Sequence, residues 1–512
     1  MSQKCSGDVM TRLVGTLAEA RRVDDSRPWP RFAVDAGTWR DVTDRLGTGE
    51  LTLFSLWADP AAVHMAVLEE MEAALTIVSL VCPEGRFPSV GRIHPPAIRL
   101  ERAICDLFGF VTEGSPDNRP WLDHGRWGVA HPLGANRRND TAPARYAFLP
   151  VDGEDLHQVP VGPVHAGIIE PGHFRFTASG EAVVRLEERL GYVHKGVDYL
   201  MRNATLAHGA NLAGRVSGDS TVAYAFAYAL AVEHALGIDP PPRARWLRAL
   251  MAELERIANH FGDFGAICND ASFSVIHAHC GILREMTLRA ADACFGHRLM
   301  RDRIVPGGVT ADLSPAGIAV LGALVDNLRP RFAQLVALYD ETASLQDRTV
   351  STGRLAPALA RQFGAGGFVG RGSGRAFDAR RMLAYSPYDR LTFEVPTFDQ
   401  GDVNARVWVR VREIEQSLSL VEQIVGAMPQ GPIVAETGGT RQSGEGTGIV
   451  EAFRGDLFVW ISITDRRIVR CHLRDASWFQ WPLLEAVIEG NIIADFPLCN
   501  KSFNCSYSGH DL

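Results

Sequence analysis

No two of the nine cysteines stand in a CxxC spacing, and the 16 histidines form no HxxH or HExxH pair. The usual sequence signs of a zinc site or a dithiol redox site are therefore missing. An odd, scattered set of cysteines suits reduced thiols in a cytoplasmic compartment. Cys499 and Cys505 lie six apart, but no second thiolate pair completes a four-ligand site with them. His277 and His279 read as a packed or surface pair. No GxGxxG follows a strand, and Gly444-Glu445-Gly446 is not one, so this chain is not expected to bind NAD itself. Neither sign of charge dominates: 52 basic residues face 60 acidic ones, a net charge of -8. No general polyanion-binding role is implied, and no nucleic-acid partner is expected. Residues Met1 to Asp8 hold no apolar run, so no secretory signal is expected. No uninterrupted apolar stretch is long enough to span a bilayer, so any membrane link must come through partner subunits.

The 512 residues, 46% hydrophobic, leave room for two or three domains and a large core. The pattern reads as α+β: a small N-terminal α/β domain, then a large, mainly helical domain carrying small β-sheets. Residues 1–30 read as a helical or loose leader ending at Pro28-Trp29-Pro30. Residues 31–135 alternate β-rich runs with one helix, which opens near Pro96 and stops at Gly109. Residues 136–160 are polar and irregular and read as a linker. Beyond them, helical periodicity fills residues 181–201, 220–236, 243–261, 275–298, 315–345 and 404–428. Between about 430 and 475 the period shifts toward two, as in Leu457-Phe458-Val459-Trp460, which predicts a small sheet.

Two ordered series of motifs carry a resemblance. His94-Pro95-Pro96, Ile98-Arg99-Leu100-Glu101-Arg102, Cys105-Asp106-Leu107-Phe108-Gly109 and Arg119-Pro120-Trp121-Leu122 are similar to the 30-kDa subunit of respiratory complex I. The second series opens with Gly162-Pro163-Val164-His165, Glu170-Pro171-Gly172-His173 and Tyr192-Val193-His194-Lys195-Gly196. It continues through Glu253-Leu254-Glu255-Arg256 with His260, Pro306-Gly307-Gly308, Arg371-Gly372-Ser373-Gly374 and Glu451-Ala452-Phe453-Arg454-Gly455, and ends beyond Asp495-Phe496-Pro497-Leu498. This block, residues 161–512, resembles the 49-kDa subunit of complex I and the large subunit of group 4 nickel–iron hydrogenases. Fusion of both blocks in one chain resembles the formate hydrogenlyase and hydrogenase-4 branch.

The resemblance implies a second CxxC after Arg215-Val216 and another at the C-terminal end. Here those four positions read Ser217, Ser220, Ser506 and Gly509. A neutral hydroxyl or a bare glycine is a poor ligand for nickel and low-valent iron, so the metal site is expected to be lost. The family fold implies that the two loops still meet in a buried pocket, lined by Ser217, Gly218, Asp219, Ser220, Ser506, Gly509 and His510. Complex I holds a quinone headgroup in the same cavity, between a tyrosine and a histidine. The tyrosine position falls near Gly218, so Tyr224 becomes the substitute if its helix turns it inward. His165 stands for the loop histidine, or is an ordinary loop residue; the second loop histidine reads Ile169. His510 is a proton donor, given imidazole's near-neutral titration, or a solvent-exposed side chain near the terminus. A near-terminal residue is expected to contribute little to the core. Lys195 and Met300 stand where complex I has an arginine and a histidine beside a partner's iron–sulfur cluster.

The resemblance thus implies a subunit on the cytoplasmic side of the membrane, packed against a small iron–sulfur subunit and linked to ion-translocating membrane subunits. The chain itself would bind no cofactor and would offer a quinone-like acceptor a metal-free pocket. Its helices over 181–300 would show the partner an apolar face. A mature C-terminus at Leu512 is expected. Two alternatives stay open: a hydrogenase with atypical ligands, and a noncatalytic subunit kept for assembly. The segment Glu253 to His260 reads as mostly structural i, i+3 and i, i+4 pairs, or as part of a proton path.

Overall fold

Strands Ala62–Glu69 and Ala74–Val81 are buried along nearly their whole length, which requires cover on both faces of their sheet. The computed structural model, which describes residues 12–135, 137, 146–165, 169–436 and 439–512, supplies both covers. The sheet has the order Arg21–Val23, Arg31–Val34, Ala74–Val81, Ala62–Glu69, Thr52–Ala58. Leu53, Met65, Val67 and Val78 face Trp39, Val42 and Leu46 of helix Ala36–Gly47. Alternate residues Phe54, Trp57, Leu68 and Ile77 face Phe458 and Trp460 of the C-terminal sheet. Asp35 caps the helix, its carboxylate accepting from the Thr38 N–H at 2.8 Å. Helix Ile98–Phe108 follows the turn at Pro95–Ala97 and ends on Gly109 in the left-handed region.

The stretch read as a helical or loose leader holds the short helix Arg12–Thr16 and then supplies strands. Arg21–Val23 joins the N-terminal sheet, and Ser26–Arg27 pairs in parallel with Gly444–Ala452 of the C-terminal one. Part of the expected linker lies outside the described residues. Its end, Leu156–Val161, is a strand that pairs with His173–Ser179. The helix expected over residues 181–201 is also corrected: Ala182–Arg189 is an antiparallel strand on His173–Ser179. Val183, Leu186 and Leu190 are spaced like a helix face. The Gly180-Glu181 turn closes a hairpin instead, with Gly180 at φ +57°. A register shift between Thr177 and Ala178 blurs the two-residue period. Only the turn Val197–Leu200 is helical there.

The remaining long helices are Thr221–Leu236, Pro242–Asp270, Ser274–Phe295, Pro315–Glu341 and Val403–Ala427. Ser314 and Asp402 cap the last two, accepting from Gly317 and Ala405 N–H. Thr221–Leu236 is apolar on nearly every side and lies at the centre of the core. It packs on Gly444–Ala452, where Gly444, Gly446 and Gly448 lie under the carbonyls of Ala235, Ala231 and Ala227. A Cβ at any of the three would strike helix backbone. That close approach fixes the helix, and its N-terminal turn carries Tyr224 toward the last residues of the chain.

Candidate functional site: a polar loop cluster

The loop before helix Thr221–Leu236 and the short C-terminal helix Tyr507–Asp511 come together in the core. Ser506 caps that helix, its Oγ accepting from the Gly509 N–H at 2.8 Å. The same Oγ donates to Ser217 Oγ at 3.3 Å. Ser217 donates to Asp219 Oδ1 at 2.6 Å, and Ser220 donates to the same oxygen at 3.2 Å. Two residues 289 apart in sequence are thus in direct contact.

Arg454 closes the cluster from the hairpin turn after Gly444–Ala452. Its Nη1 donates to Asp219 Oδ1 at 2.9 Å and to Ser220 Oγ at 3.1 Å, and its Nη2 grips Asp219 Oδ2. Its Nε donates to the Asn504 carbonyl. One guanidinium therefore ties the serine loop, the hairpin and the C-terminal turn. Burial pushes the Asp219 carboxyl up, but Arg454 and the two serine hydroxyls outweigh it and hold the pKa at about 2. The arginine is held in its charged form: burial works against the charge, and Asp219 overrides it. Asp219 is also the outlet of the cluster, with its side chain 33% exposed beside exposed Gly218.

Tyr224 is fully buried and turned inward. Its hydroxyl donates to Asp475 Oδ2 at 2.9 Å and lies 3.4 Å from the Gly509 carbonyl. Burial, then the Asp475 charge, pushes the phenol well above its usual range, so it is a neutral donor. A Cβ built on Gly509 would sit 2.8 Å from Asp475 Oδ2, Ser506 Oγ and Tyr224 OH. The position is glycine because those three polar atoms fill the space a side chain would need.

His510 is not a terminal, solvent-facing side chain; it is wholly buried. Its ring stacks on Trp478 at 4.0 Å and meets Trp121 edge-on at 5.7 Å. Trp121 Nε1 can only donate, so His510 Nε2 accepts from it at 3.2 Å. The ring proton then sits on Nδ1 and donates to Asp511 Oδ1 at 2.8 Å. Both nitrogens are spent on the cluster wall. Burial lowers the imidazole pKa, with Asp511 opposing. Asp511 in turn accepts from the Gly191 and Val193 N–H groups. The expectation that His510 contributes little to the core is therefore corrected.

His165 stays within its own loop, its Nε2 on the Gly172 carbonyl at 2.6 Å. No contact joins it to Tyr224 or the serines among the described residues. Lys195 is exposed, and its Nζ donates to the Val216 carbonyl at 3.0 Å, next to Ser217. Met300 is buried in the core after helix Ser274–Phe295, its N–H on the His297 carbonyl. Sequence reading assigned no role to Arg454 or Asp475. Arg454 does fall within the quoted Glu451–Gly455 motif; nothing local marks Asp475.

The donor set does not match a nickel–iron group. Three hydroxyls and a glycine replace sulfur, and the carboxylate of Asp219 among them is neutralised by Arg454. Among the described residues, no group of three or more His, Cys, Asp or Glu could hold a metal ion.

Comparison with known proteins settles the family. Residues 33–141 match the family model of the respiratory-chain NADH dehydrogenase 30 Kd subunit, and residues 273–441 that of the 49 Kd subunit. Formate hydrogenlyase subunit 5 of Escherichia coli K12 is 31% identical over 83% of this chain and 77% of its own length. The chain belongs to the family of that hydrogenlyase subunit and the fused complex I subunits. The C/D subunit of NADH-quinone oxidoreductase from a Bacteroides fragilis strain is 28% identical over 80% of this chain and 82% of its own. A chain from the structure of an archaeal respiratory membrane complex, the membrane-bound sulfane sulfur reductase, shares the fold with a TM-score of 0.67. It is 24% identical and aligns over 71% of this chain and all of its own length. The match to the 49 Kd family model begins after the Ser217 loop and ends before Ser506, so neither half of the polar cluster lies within it.

Proposed function

We propose that this chain is a subunit of a membrane respiratory complex related to complex I and the hydrogenases, and that its polar loop cluster works without nickel and iron. In this reading the chain sits on the cytoplasmic face and packs against a small iron–sulfur subunit, which delivers electrons. Ion-translocating membrane subunits complete the complex; no helix of the described residues is long and apolar enough to cross a membrane. Exposed Tyr192, Tyr199 and Leu200, beside Lys195, provide apolar surface for the iron–sulfur partner.

One observation carries the metal-free reading. Ser217 and Ser506 meet directly, where the hydrogenase-type pattern has thiolates, and Asp219 with Arg454 balances the charge. The cluster then serves a quinone-like acceptor. Tyr224 is the group suited to donate to it, because its hydroxyl rests on Asp475, a carboxylate with no ion-pair partner among the described residues. His165 would approach only by leaving the Gly172 carbonyl. A quinone takes up two electrons and two protons to become the quinol, so a proton donor at this point has a defined task.

A second reading is favoured by the filled space over Gly509: the cluster is a closed plug, and the subunit is noncatalytic. Purification of the intact complex, with elemental analysis and assays of quinone-analogue reduction, separates the readings. We expect no stoichiometric nickel. Tyr224→Phe should slow reduction about a hundredfold or more, within the range for a lost general acid, while the complex still assembles. About one nickel per chain would reject the metal-free reading. Turnover unchanged in Tyr224→Phe would favour the plug.

A further inference from the structure

Behind the loop cluster lies a second group of buried charges that the proposed function does not use. It gathers the motif residues Glu253, Arg256, His260, Arg371 and Glu451 with Asp378, Arg380 and Glu413. Every one of these side chains is essentially inaccessible. The contacts form a closed net. Glu253 meets Arg380 at 3.0 Å and Arg256 at 3.4 Å. Arg380 holds Asp378 at 2.7 Å. Arg371 holds Glu413 at 2.6 Å and Glu451 at 2.8 Å, with Asp378 at 3.6 Å. Glu413 also meets Arg256 at 3.6 Å and His260 Nε2 at 2.8 Å.

The charges in this net do not balance. Four carboxylates, Glu253, Asp378, Glu413 and Glu451, share three guanidiniums, Arg256, Arg371 and Arg380. The neighbouring Arg410, Arg454 and Arg474 are each engaged by another carboxylate, Asp263, Asp219 and Asp456. An uncompensated charge in such a place is expensive, and a proton removes it. His260 is a poor place for that proton. It already donates or shares Nε2 with Glu413, and its buried Nδ1 has no partner, so an imidazolium would bury an unmet N–H. Glu451 is the better place. It and Asp378 flank the same nitrogen of Arg371, but Asp378 is also held by Arg380 at 2.7 Å, whereas Glu451 has, among the described residues, no ion-pair partner but the Arg371 it shares with Glu413.

We propose that Glu451 is a buried proton-binding site, a carboxylic acid in the native protein that exchanges one proton with the medium. The groups facing it come from every packed element. They are Arg256 from helix Pro242–Asp270, Arg371, Asp378 and Tyr385 from the segment 371–385, and Asp456 across the hairpin. Burial, then Asp378, pushes its pKa up to about 7, in keeping with the charge count. Glu451 lies on the same hairpin as Arg454, three residues before it. The hairpin thus carries the proton site at one position and the grip on Asp219 at the next turn. Glu451 is a positioning and proton-storing group, not one that touches an acceptor.

The test reads carboxyl groups and needs no acceptor, so its outcome is independent of the proposed function. Infrared spectra of the purified complex, with and without carbon-13 glutamate in this chain, should show a protonated glutamate band that belongs to Glu451, identified as the difference between wild type and Glu451→Gln, because burial also pushes up the carboxyls of Glu101, Glu188 and Glu255. Glu451 should ionise as pH rises through about 7. Glu451→Gln should abolish the signal. Asp378→Asn should abolish it as well, although Glu451 remains, because three carboxylates then face three guanidiniums. If Glu451→Gln fails to fold, the labelled wild type and Asp378→Asn decide. A wild type without a protonated buried glutamate overturns the proposal. So does a set of protonated-glutamate bands left unchanged by Asp378→Asn or by Glu451→Gln.

Discussion

Asp219 shows how one side chain can occupy the place of a metal group. It accepts from two serines and a guanidinium, and so orients every hydroxyl of the serine loop toward itself. Ser217 then presents lone pairs to Ser506, which closes the array. The charge state follows from the neighbours. The folded pKa of about 2 lies below the ordinary 3.8, so the ionised form is favoured by folding. Its stabilising contribution is complete above pH 3.8 and is lost as pH falls through about 2. Asp219→Asn should therefore loosen residues 504–512 at neutral pH, seen as faster amide exchange, because it leaves the Arg454 cation buried without a counter-charge. Between pH 4 and 2 the variant should lose less stability than the wild type. Equal acid sensitivity in both proteins would show that the ion pair does not hold the cluster. These contacts were not legible in the chain. The Asp219–Arg454 contact spans 235 residues and the Tyr224–Asp475 contact spans 251. The replacement of thiolates by Ser217, Ser220, Ser506 and Gly509, the meeting of their two loops and the place of Asp219 and Tyr224 beside them were read through the family resemblance; the partners Arg454 and Asp475 were not.

At the scale of elements, local chemistry and periodicity located most pieces. Pro315 behind the Ser314 cap, Gly109 after Phe108 and the alternation in Leu457–Ile463 each carried their own signal. The hairpin over 173–189 did not, because its apolar residues fit a helix spacing as well as a bulged strand. The glycines of Gly444–Ala452 carried the wrong kind of hint. They look like a failed nucleotide loop; their reason is the helix seated on them. Gly446→Ala tests this. The new methyl has nowhere to go but into the Ala231 carbonyl and the Ala235 N–H. Helix and strand must separate, and the variant should lose about 3 kcal/mol, the upper part of the usual overpacking range. Thermal unfolding measures it. Gly322, with open space at its Cβ, is the control: Ala there should cost nothing or stabilise slightly, since it lies inside a helix. Equal effects at the two sites would refute the close-packing account.

At the scale of the whole molecule, the two blocks look separable in sequence and are not separable in structure. The strand Ser26–Arg27 belongs by sequence to the N-terminal part and pairs with Gly444–Ala452. Arg31 holds Glu445 at 2.5 Å across the junction. Trp57 stacks on His472 at 5.2 Å, and Ser55 Oγ meets the same ring's Nε2 at 2.8 Å. The face of the N-terminal sheet carrying Phe54, Trp57, Leu68 and Ile77 is covered by the C-terminal sheet and by Phe377 and Ala379, all of them from the other block. Cutting the chain would expose it as a contiguous apolar patch, which soluble monomers rarely tolerate. Residues 1–135 expressed alone should therefore aggregate or bind hydrophobic dyes. Residues 136–512 alone should lose the order of the strand Gly455–Thr464, whose Phe458 and Trp460 would be stripped. Co-expression of the two pieces should recover a soluble pair, because the junction is a packed interface and the connecting segment adds only its closure entropy. A monomeric, cooperatively unfolding 1–135 fragment would show that the fusion merely tethers two finished domains. In that case the Glu445 and His472 contacts would be incidental, and substituting either should leave the melting of the full chain unchanged.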